Sequence, residues 1–201
     1  MELLLATRNA HKTREFRQLL GDNFNIADLS AFPEVTMPEE TGATFTENAI
    51  LKAVGVSKDR HLRGRPIIAD DSGLEVDALW GRPGIYSARY AGENATDERN
   101  IGKLLSEVRE RSIPFEKRNG RFRCVIALAR NGKLAGTFTG TIEGMITDPP
   151  RGENGFGYDP IFQPLGLTET FAEMAPDLKN KISHRGKAIA ILREALQRLK
   201  I

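Results

Sequence analysis

The chain has 201 residues, of which 28% are charged and 40% hydrophobic, so it can bury a core and lacks the composition of a disordered protein. Its 29 Lys and Arg and 27 Asp and Glu leave a formal net charge of +2, too small for a general nucleic-acid-binding surface. A single cysteine, a short apolar N-terminus and no long apolar run argue against a disulfide framework, a signal peptide and a membrane span. We therefore expect a cytoplasmic protein that binds neither nucleic acid nor a membrane.

Strand and helix patterns alternate in the first part of the chain. Residues 3–6 predict a strand, and residues 12–20 predict an amphipathic helix. Residues 44–47 match a capping box, which indicates the start of another helix. Residues 66–69 predict a buried strand that ends in two carboxylates and a turn at residues 70–73.

The middle of the chain predicts a loop, a helix and a hairpin. Residues 79–92 are rich in Gly, Pro and Arg, which is typical of an irregular loop. Thr96 is a predicted N-cap for a helix with an apolar stripe. Apolar and polar residues alternate over 122–128, and Asn131-Gly132 predicts a hairpin to a second strand over 134–146.

The last part of the chain predicts a structured loop and a long helix. Residues 147–160 are dense in Gly and Pro, and long structured loops are usually functional. A helix is predicted over about 185–199, with a buried stripe of Ile189, Leu192, Leu196 and Leu199. The elements together predict one domain over residues 1–201, an α/β fold with a mixed central sheet, helices on its faces and a second lobe.

Residues 7–12 place polar groups where the first strand meets the first helix. Backbone N–H groups, Thr and Asn side chains and Lys12 converge there on a space the size of an anion, which indicates phosphate binding. The Gly-rich run and Gly-Lys-Ser/Thr ending of a P-loop are missing, so a P-loop NTPase is disfavoured. A polar helix cap with a solvated lysine explains the same residues equally well.

Two pairs of carboxylates, Glu39-Glu40 and Asp70-Asp71, suit Mg²⁺, which prefers one or two carboxylates together with waters and substrate phosphates. Neither pair is specific alone. Asp-Asp-Ser-Gly is also typical of a plain turn, and an acidic residue ahead of a helix usually serves the helix dipole.

The C-terminal part carries aromatic and basic residues that suit a nucleobase. Residues 155–160 offer two aromatic rings and a carboxylate on a Gly-flanked backbone, which suits stacking on a base and bonding its edge. Residues 179–186 add cations and an imidazole near a helix start. Aromatic residues beside Gly also fill gaps under loops, and Ser183 can cap the last helix, so structural roles stay open.

Six ordered motifs extend from the first strand to the final helix. They are Thr7-x-Asn9-x-x-Lys12, Glu47-Asn48-Ala49-x-x-Lys52-Ala53, Ala69-Asp70-Asp71-Ser72-Gly73-Leu74, Pro83-Gly84-x-Tyr86-Ser87-Ala88-Arg89, Gly155-Phe156-Gly157-Tyr158-Asp159-Pro160 and Ser183-His184-Arg185-Gly186. This set resembles the inosine triphosphate pyrophosphatase family, also called the HAM1 or RdgB-like family of dITP/XTP pyrophosphatases.

The resemblance implies an ITPase/Maf-like fold and a homodimeric, Mg²⁺-dependent enzyme. Its implied activity is hydrolysis of non-standard purine nucleoside triphosphates (ITP, dITP, XTP) to the monophosphate and pyrophosphate, which clears them from the nucleotide pool. Two alternatives of other classes are a non-catalytic purine nucleotide-binding sensor and a phosphotransferase.

By motif position, the resemblance implies that Asp71 is the proton acceptor and a metal ligand. Glu40 is our choice for the second metal carboxylate, a weaker assignment because Glu39 is its neighbour. The residues implied to bind the triphosphate are Thr7, Arg8, Asn9, Ala10, His11, Lys12, Lys52 and Ser72. The residues implied to form the base pocket are Phe156, Gly157, Tyr158, Asp159, Lys179, His184 and Arg185.

Overall fold

The computed structural model describes residues 1–199, with the side chain of Leu199 outside that description. Contacts divide the chain into two compact units. Unit 1 comprises Met1–Asp71, Cys124–Gly140 and the chain from Arg185, and unit 2 comprises Ser72–Arg123 and Thr141–His184. Each unit has its own cluster of buried apolar side chains.

A seven-stranded sheet organises the chain. Its strands are β1 (Glu2–Leu5), β2 (Asn25–Asp28), β3 (Ile67–Val76), β4 (Arg82–Pro83), β5 (Asn119–Arg130), β6 (Lys133–Ile146) and β7 (Phe162–Pro164). The order is β2-β1-β3-β5-β6-β7, and β4 pairs with β3. β1 is parallel to β2 and β3, with Leu4 opposite Ala27 and Ile67, whereas β4 and β7 pair antiparallel with β3 and β6. The predicted mixed sheet is confirmed.

Helices complete the predicted α/β fold. They are α1 (Ala10–Leu20), α2 (Phe45–Val56), α3 (Asp97–Glu110), α4 (Pro176–Ile182) and α5 (His184–Leu199). Thr44 caps α2 by accepting a hydrogen bond from the Glu47 N–H group, and the Glu47 carboxylate accepts one from Ala43. No helix within residues 1–199 is both long and apolar enough to cross a bilayer.

The core of unit 1 forms where α1 and α5 pack against strands. Apolar residues at helical spacing supply the helix side, and buried strand residues supply the other. The cluster includes Phe16 and Leu20 of α1, Ile189, Leu192 and Leu196 of α5, and Leu5, Ile68, Cys124 and Ile126 of the strands. Three residues of the predicted α5 stripe are thus confirmed, while the side chain of Leu199 lies outside the described residues.

The core of unit 2 gathers around α3 and a group of aromatic rings. The helix contributes Ile101, Leu104, Leu105 and Val108, as its apolar stripe predicts. Phe122 packs edge-on against Phe162, with ring centroids 4.6 Å apart, and stacks with Phe171 at 5.9 Å.

The predicted turn at residues 70–73 is wrong, because β3 continues through these residues to Val76. Asp residues form turns when they bond their own backbone, but here cationic side chains engage both carboxylates. Asp70 pairs with Lys12 and Arg185, and Asp71 pairs with Lys52. The two carboxylates therefore lie within a long strand rather than at its end.

Other differences concern short elements. Sequence reasoning missed β2, β7 and α4, which have three to seven residues and show no clear periodicity. The predicted irregular loop at residues 79–92 contains β4 and a 3₁₀ helix, Gly84–Arg89. The predicted hairpin is confirmed: Asn131 and Gly132 have φ angles of 52° and 75° and connect the neighbouring strands β5 and β6.

Candidate active site

Asp70 lies at the centre of a buried network in unit 1. Its carboxylate forms an ion pair with Lys12, and Oδ2 accepts hydrogen bonds from Arg185 Nε at 3.1 Å and from Cys124 Sγ at 3.0 Å. Burial acts to raise the pKa of Asp70, but Arg185 and Lys12 outweigh it and hold the pKa well below its usual range. Asp70 is therefore an ionised carboxylate already neutralised by protein cations, and a poor metal ligand.

Asp71 has a different environment from its neighbour. Its Oδ1 accepts a hydrogen bond from Lys52 Nζ at 2.7 Å, whereas Oδ2 is buried and has no hydrogen-bond partner within the described chain. Burial raises the pKa of Asp71, and the nearby Lys52 ammonium only partly opposes this. A buried carboxylate oxygen without a partner is costly unless something binds it, so this atom is a candidate ligand for a cation or a water.

Lys52 connects the two predicted metal carboxylates. Besides Asp71, its ammonium donates to Glu40 Oε1 at 3.2 Å and to the Asp70 carbonyl at 2.9 Å, so all three N–H donors meet protein oxygens. Burial acts to lower the pKa of Lys52, but Asp71 and Glu40 outweigh it and raise the pKa. Lys52 therefore stays charged and fixes both carboxylates. Glu40 makes this contact, while the side chain of Glu39 is exposed.

The charge of this cluster favours the binding of a cation. Its members are the cations Lys12, Lys52 and Arg185 and the carboxylates Glu15, Glu40, Asp70 and Asp71. One carboxylate is thus in excess. Within residues 1–199 no group of three or more His, Cys, Asp or Glu is placed to hold a metal. Asp71 and Glu40 could therefore hold Mg²⁺ only as a pair, which suits an ion that keeps waters and binds substrate phosphates.

The predicted phosphate-binding residues 7–12 form the N-terminus of α1. Asn9 caps the helix, and its Oδ1 accepts hydrogen bonds from the N–H groups of His11 and Lys12, while Thr7 Oγ1 accepts one from Asn9. Arg8 donates to the Val35 carbonyl at 2.9 Å. The structure brings Lys12 to Asp70 but gives Asn9 a capping role, so phosphate binding by this segment stays a prediction.

In unit 2, Asp159 organises the segment around Phe156. Its buried Oδ2 accepts hydrogen bonds from the Phe156 N–H group at 2.8 Å and from Lys179 Nζ at 2.7 Å. The Lys179 ammonium lies 5.1 Å from the centroid of the Phe156 ring. Gly155 has φ +79°, and a side chain there would collide with the Asp159 carboxylate. Three predicted base-pocket residues, Phe156, Asp159 and Lys179, are thus brought together.

Two further predicted base-pocket residues, Tyr158 and His184, are buried. Tyr158 belongs to the core of unit 2, and its hydroxyl donates to the Ser87 carbonyl at 2.9 Å. The His184 ring stacks on Phe122, with centroids 4.7 Å apart and planes 11° apart. Tyr158 therefore supports the fold, and Phe122 fixes the plane of the imidazole.

Arg185 belongs to a different unit from the other predicted base-pocket residues, and Ser72 to a different unit from the other predicted triphosphate-binding residues. The Arg185 guanidinium is buried in unit 1, where it contacts Asp70 and Glu15, whose Oε2 lies 2.6 Å from Nη1. Ser72 is the first residue of unit 2 and is partly buried. Their roles toward a substrate stay predictions.

Sequence reasoning missed two residues that support the candidate site, Glu15 and Cys124. Glu15 has the appearance of an ordinary surface acid on an amphipathic helix, and Cys124 that of an apolar strand residue. The only available signal for Glu15 was its position three residues after Lys12, which places both on one helix face. No local signal marks Cys124 as a partner of Asp70, because the contact joins residues 54 positions apart.

A sequence profile described as the Ham1 family matches residues 3–195, which span all six motifs. The chain belongs to the Ham1 family. This confirms the resemblance that the motifs predicted.

Individual relatives in the Ham1 family are similar over nearly the whole chain. A dITP/XTP pyrophosphatase of Geobacter sulfurreducens is 50% identical over 195 residues, 96% of each chain. A dITP/XTP pyrophosphatase of Bacillus subtilis is 46% identical over 98% of this chain and 97% of its own. A HAM1 protein structure from Coxiella burnetii is 43% identical, has a TM-score of 0.87 and covers 98% of this chain and 99% of its own. The fold is therefore that of the Ham1 proteins.

Proposed function

We propose that this chain hydrolyses dITP, XTP and ITP to the nucleoside monophosphate and pyrophosphate. The observation that carries the proposal is the 50% identity to a dITP/XTP pyrophosphatase over 96% of both chains. The buried Oδ2 of Asp71 supports it, because a hydrolase needs a group that binds or orients a water, and this oxygen has no hydrogen-bond partner in the described chain.

The triphosphate would bind to basic and polar groups of the first motifs. The residues proposed for this role are Thr7, Arg8, Asn9, Ala10, His11, Lys12, Lys52 and Ser72. Arg8, Lys12 and Lys52 carry positive charge, and the carboxylates of Asp70 and Asp71 hold Lys12 and Lys52 in place. Fixed cations of this kind stabilise charge that develops on phosphoryl oxygens without reorganising during the reaction.

Asp71 and Glu40 would hold the proposed Mg²⁺ ion. When bound, Mg²⁺ neutralises phosphate charge and lowers the pKa of a coordinated water. Lys52 fixes Oδ1 of Asp71, so rotation of the carboxylate is restricted and Oδ2 keeps one direction. Asp71 would orient the attacking water through Oδ2 and accept its proton, while the cations of the cluster balance the charge of the triphosphate.

The base would be recognised by Phe156, Gly157, Tyr158, Asp159, Lys179, His184 and Arg185. Phe156 offers a ring for stacking, and Tyr158 acts indirectly through the core. A donor from His184, Arg185 or a loop N–H group would pair with the 6-oxo group of hypoxanthine or xanthine. The same donor would meet the 6-amino group of adenine, and an unpaired buried polar group disfavours ATP strongly.

We further propose that residues 1–201 act as one catalytic domain, that the protein is a homodimer and that it acts in the cytoplasm. The similarity to Ham1 proteins over nearly the whole chain supports the first point. The dimer is proposed from the family resemblance, and light scattering at micromolar concentration would test it. A single buried cysteine is compatible with a reducing compartment.

The test is product analysis. The purified chain is incubated with Mg²⁺ and dITP, XTP or dATP, and nucleotides and phosphates are separated by chromatography, with EDTA as the control. The proposal expects dIMP or XMP with an equal amount of pyrophosphate, and little reaction with dATP. Orthophosphate with a nucleoside diphosphate would indicate a phosphatase, and a nucleoside diphosphate without orthophosphate would indicate a phosphotransferase. Binding without any product would indicate a nucleotide sensor.

A further inference from the structure

In unit 2, the loop of residues 155–157, which carries Phe156, is hydrogen-bonded to the start of α3. The Gly157 N–H group donates to Asp97 Oδ2 at 2.6 Å, although the two residues are 60 positions apart. Asp97 is the first residue of α3, which begins there because Thr96 accepts a hydrogen bond from the Arg99 N–H group. A rigid helix end therefore presents the carboxylate to the loop.

The neighbouring N–H group is held by a second carboxylate. Phe156 donates to Asp159 Oδ2 at 2.8 Å, and this oxygen also accepts from Lys179. Two successive N–H groups are thus bonded to acids from different elements, Asp159 on the buried side and the exposed Asp97 on the other. These N–H groups belong to the two peptide planes that flank the Phe156 Cα atom, so the two bonds restrict rotation of the backbone at Phe156 and thereby the position of its ring.

Where the loop of residues 155–157 faces Asp97, packing alone does not hold it in place. A cavity of about 520 Å³ lies there, lined by Asp97, Ile101 and Leu105 of α3 and by Gly155, Phe156 and Gly157 of the loop. Gly157 has φ +62°, and a Cβ atom built on it would meet nothing within 4 Å. The loop has room to shift into this space, and the bond to Asp97 opposes the shift.

We propose that Asp97 is a positioning residue for base recognition, which holds Gly157 so that the Phe156 ring is fixed for stacking on the purine. Asp97 acts through the loop and is not assigned a contact with substrate. The proposal rests on the proposed function, since it assumes that Phe156 receives the base. It predicts that loss of Asp97 weakens binding of the base but not of the phosphates.

The experiment compares Asp97→Ala, Asp97→Asn and Glu98→Ala. Asp97 and Glu98 are both exposed acids of the first turn of α3, so either Ala variant removes one favourable charge from the helix dipole. Only Asp97 bonds Gly157. We expect Asp97→Ala to raise the KM for dITP roughly three- to tenfold with kcat little changed, as for an exposed charge-assisted hydrogen bond. Asp97→Asn keeps an acceptor oxygen and should restore most of the affinity.

Inorganic tripolyphosphate serves as a competitor without a base, and its inhibition constant should be equal in all variants. Equal KM values for Asp97→Ala and Glu98→Ala would overturn the proposal, as would a parallel loss of tripolyphosphate binding. If the wild-type protein releases no pyrophosphate from dITP, the proposed function fails. Calorimetric titration with dITP then decides the role of Asp97, and equal affinities of the two Ala variants would overturn it.

Discussion

The ammonium of Lys52 lies 2.7 Å from Oδ1 of Asp71, while Oδ2 of the same carboxylate is buried without a hydrogen-bond partner among the described residues. The same ammonium contacts Glu40 at 3.2 Å. One buried cation therefore fixes two carboxylates and leaves an oxygen of Asp71 available. This division distinguishes Asp71 from Asp70, whose two oxygens are both engaged by cationic side chains.

Replacement of Glu40 by Gln should weaken the response of the enzyme to Mg²⁺. Loss of one carboxylate ligand should raise the Mg²⁺ concentration for half-maximal dITP hydrolysis by at least about tenfold. Activity is measured over a Mg²⁺ titration after removal of metal with EDTA.

Glu39→Gln is the matched control, because the residue is adjacent and exposed and has no side-chain contact with Lys52. It should leave the Mg²⁺ titration unchanged. A larger shift for Glu39→Gln than for Glu40→Gln would show that the wrong carboxylate was assigned.

Asp70→Asn should reduce stability more than Asp71→Asn does. The first change leaves the buried Arg185 and the partly buried Lys12 without their shared carboxylate, and removal of one partner from a buried pair costs about 3 kcal/mol of unfolding free energy. Burial raises the pKa of Asp71, so the fold already disfavours its charged form, and an amide there costs less. Urea unfolding of both variants measures the difference, and equal losses would contradict the assignment of Asp70 as a structural ion.

Gly155→Ala should lower the free energy of unfolding by more than a side chain at positive φ usually does. Gly155 and Gly166 have φ of +79° and +81°, but only at Gly155 would a Cβ atom collide with another group, the Asp159 carboxylate. We expect Gly155→Ala to lose about 2 kcal/mol more unfolding free energy than Gly166→Ala, a cost typical of overpacking. Urea unfolding tests this, and similar losses for the two variants would mean that the loop adapts easily.

The sequence predicted the longer elements and the family because their signals are local or ordered along the chain. The stripe of α3, the capping box of α2 and the Asn131-Gly132 hairpin each follow from a few neighbouring residues. The continuation of β3 through Asp70 and Asp71 could not be predicted. It depends on Lys12 and Arg185, which come from distant parts of the chain and override the local preference for a turn.

The candidate site likewise contains residues that the sequence predicted and contacts that it could not predict. Motif positions indicated Lys52, Asp71 and Asp159, whose chemistry is visible in the residue type. The supporting contacts were not predictable: Glu15 with Arg185, Phe122 with His184 and Asp97 with Gly157 each join segments that only the fold brings together.

Asp71 is the centre of the proposed reaction. The most direct test measures two properties of the Asp71→Asn variant: the rate at which it releases pyrophosphate from dITP and its affinity for dITP. The amide can still accept a hydrogen bond from Lys52 but cannot take a proton from water. We expect kcat to fall by at least about 100-fold, the range for loss of a general base, with dITP binding retained in calorimetry. An Asp71→Asn variant that releases pyrophosphate at the wild-type rate would contradict this account.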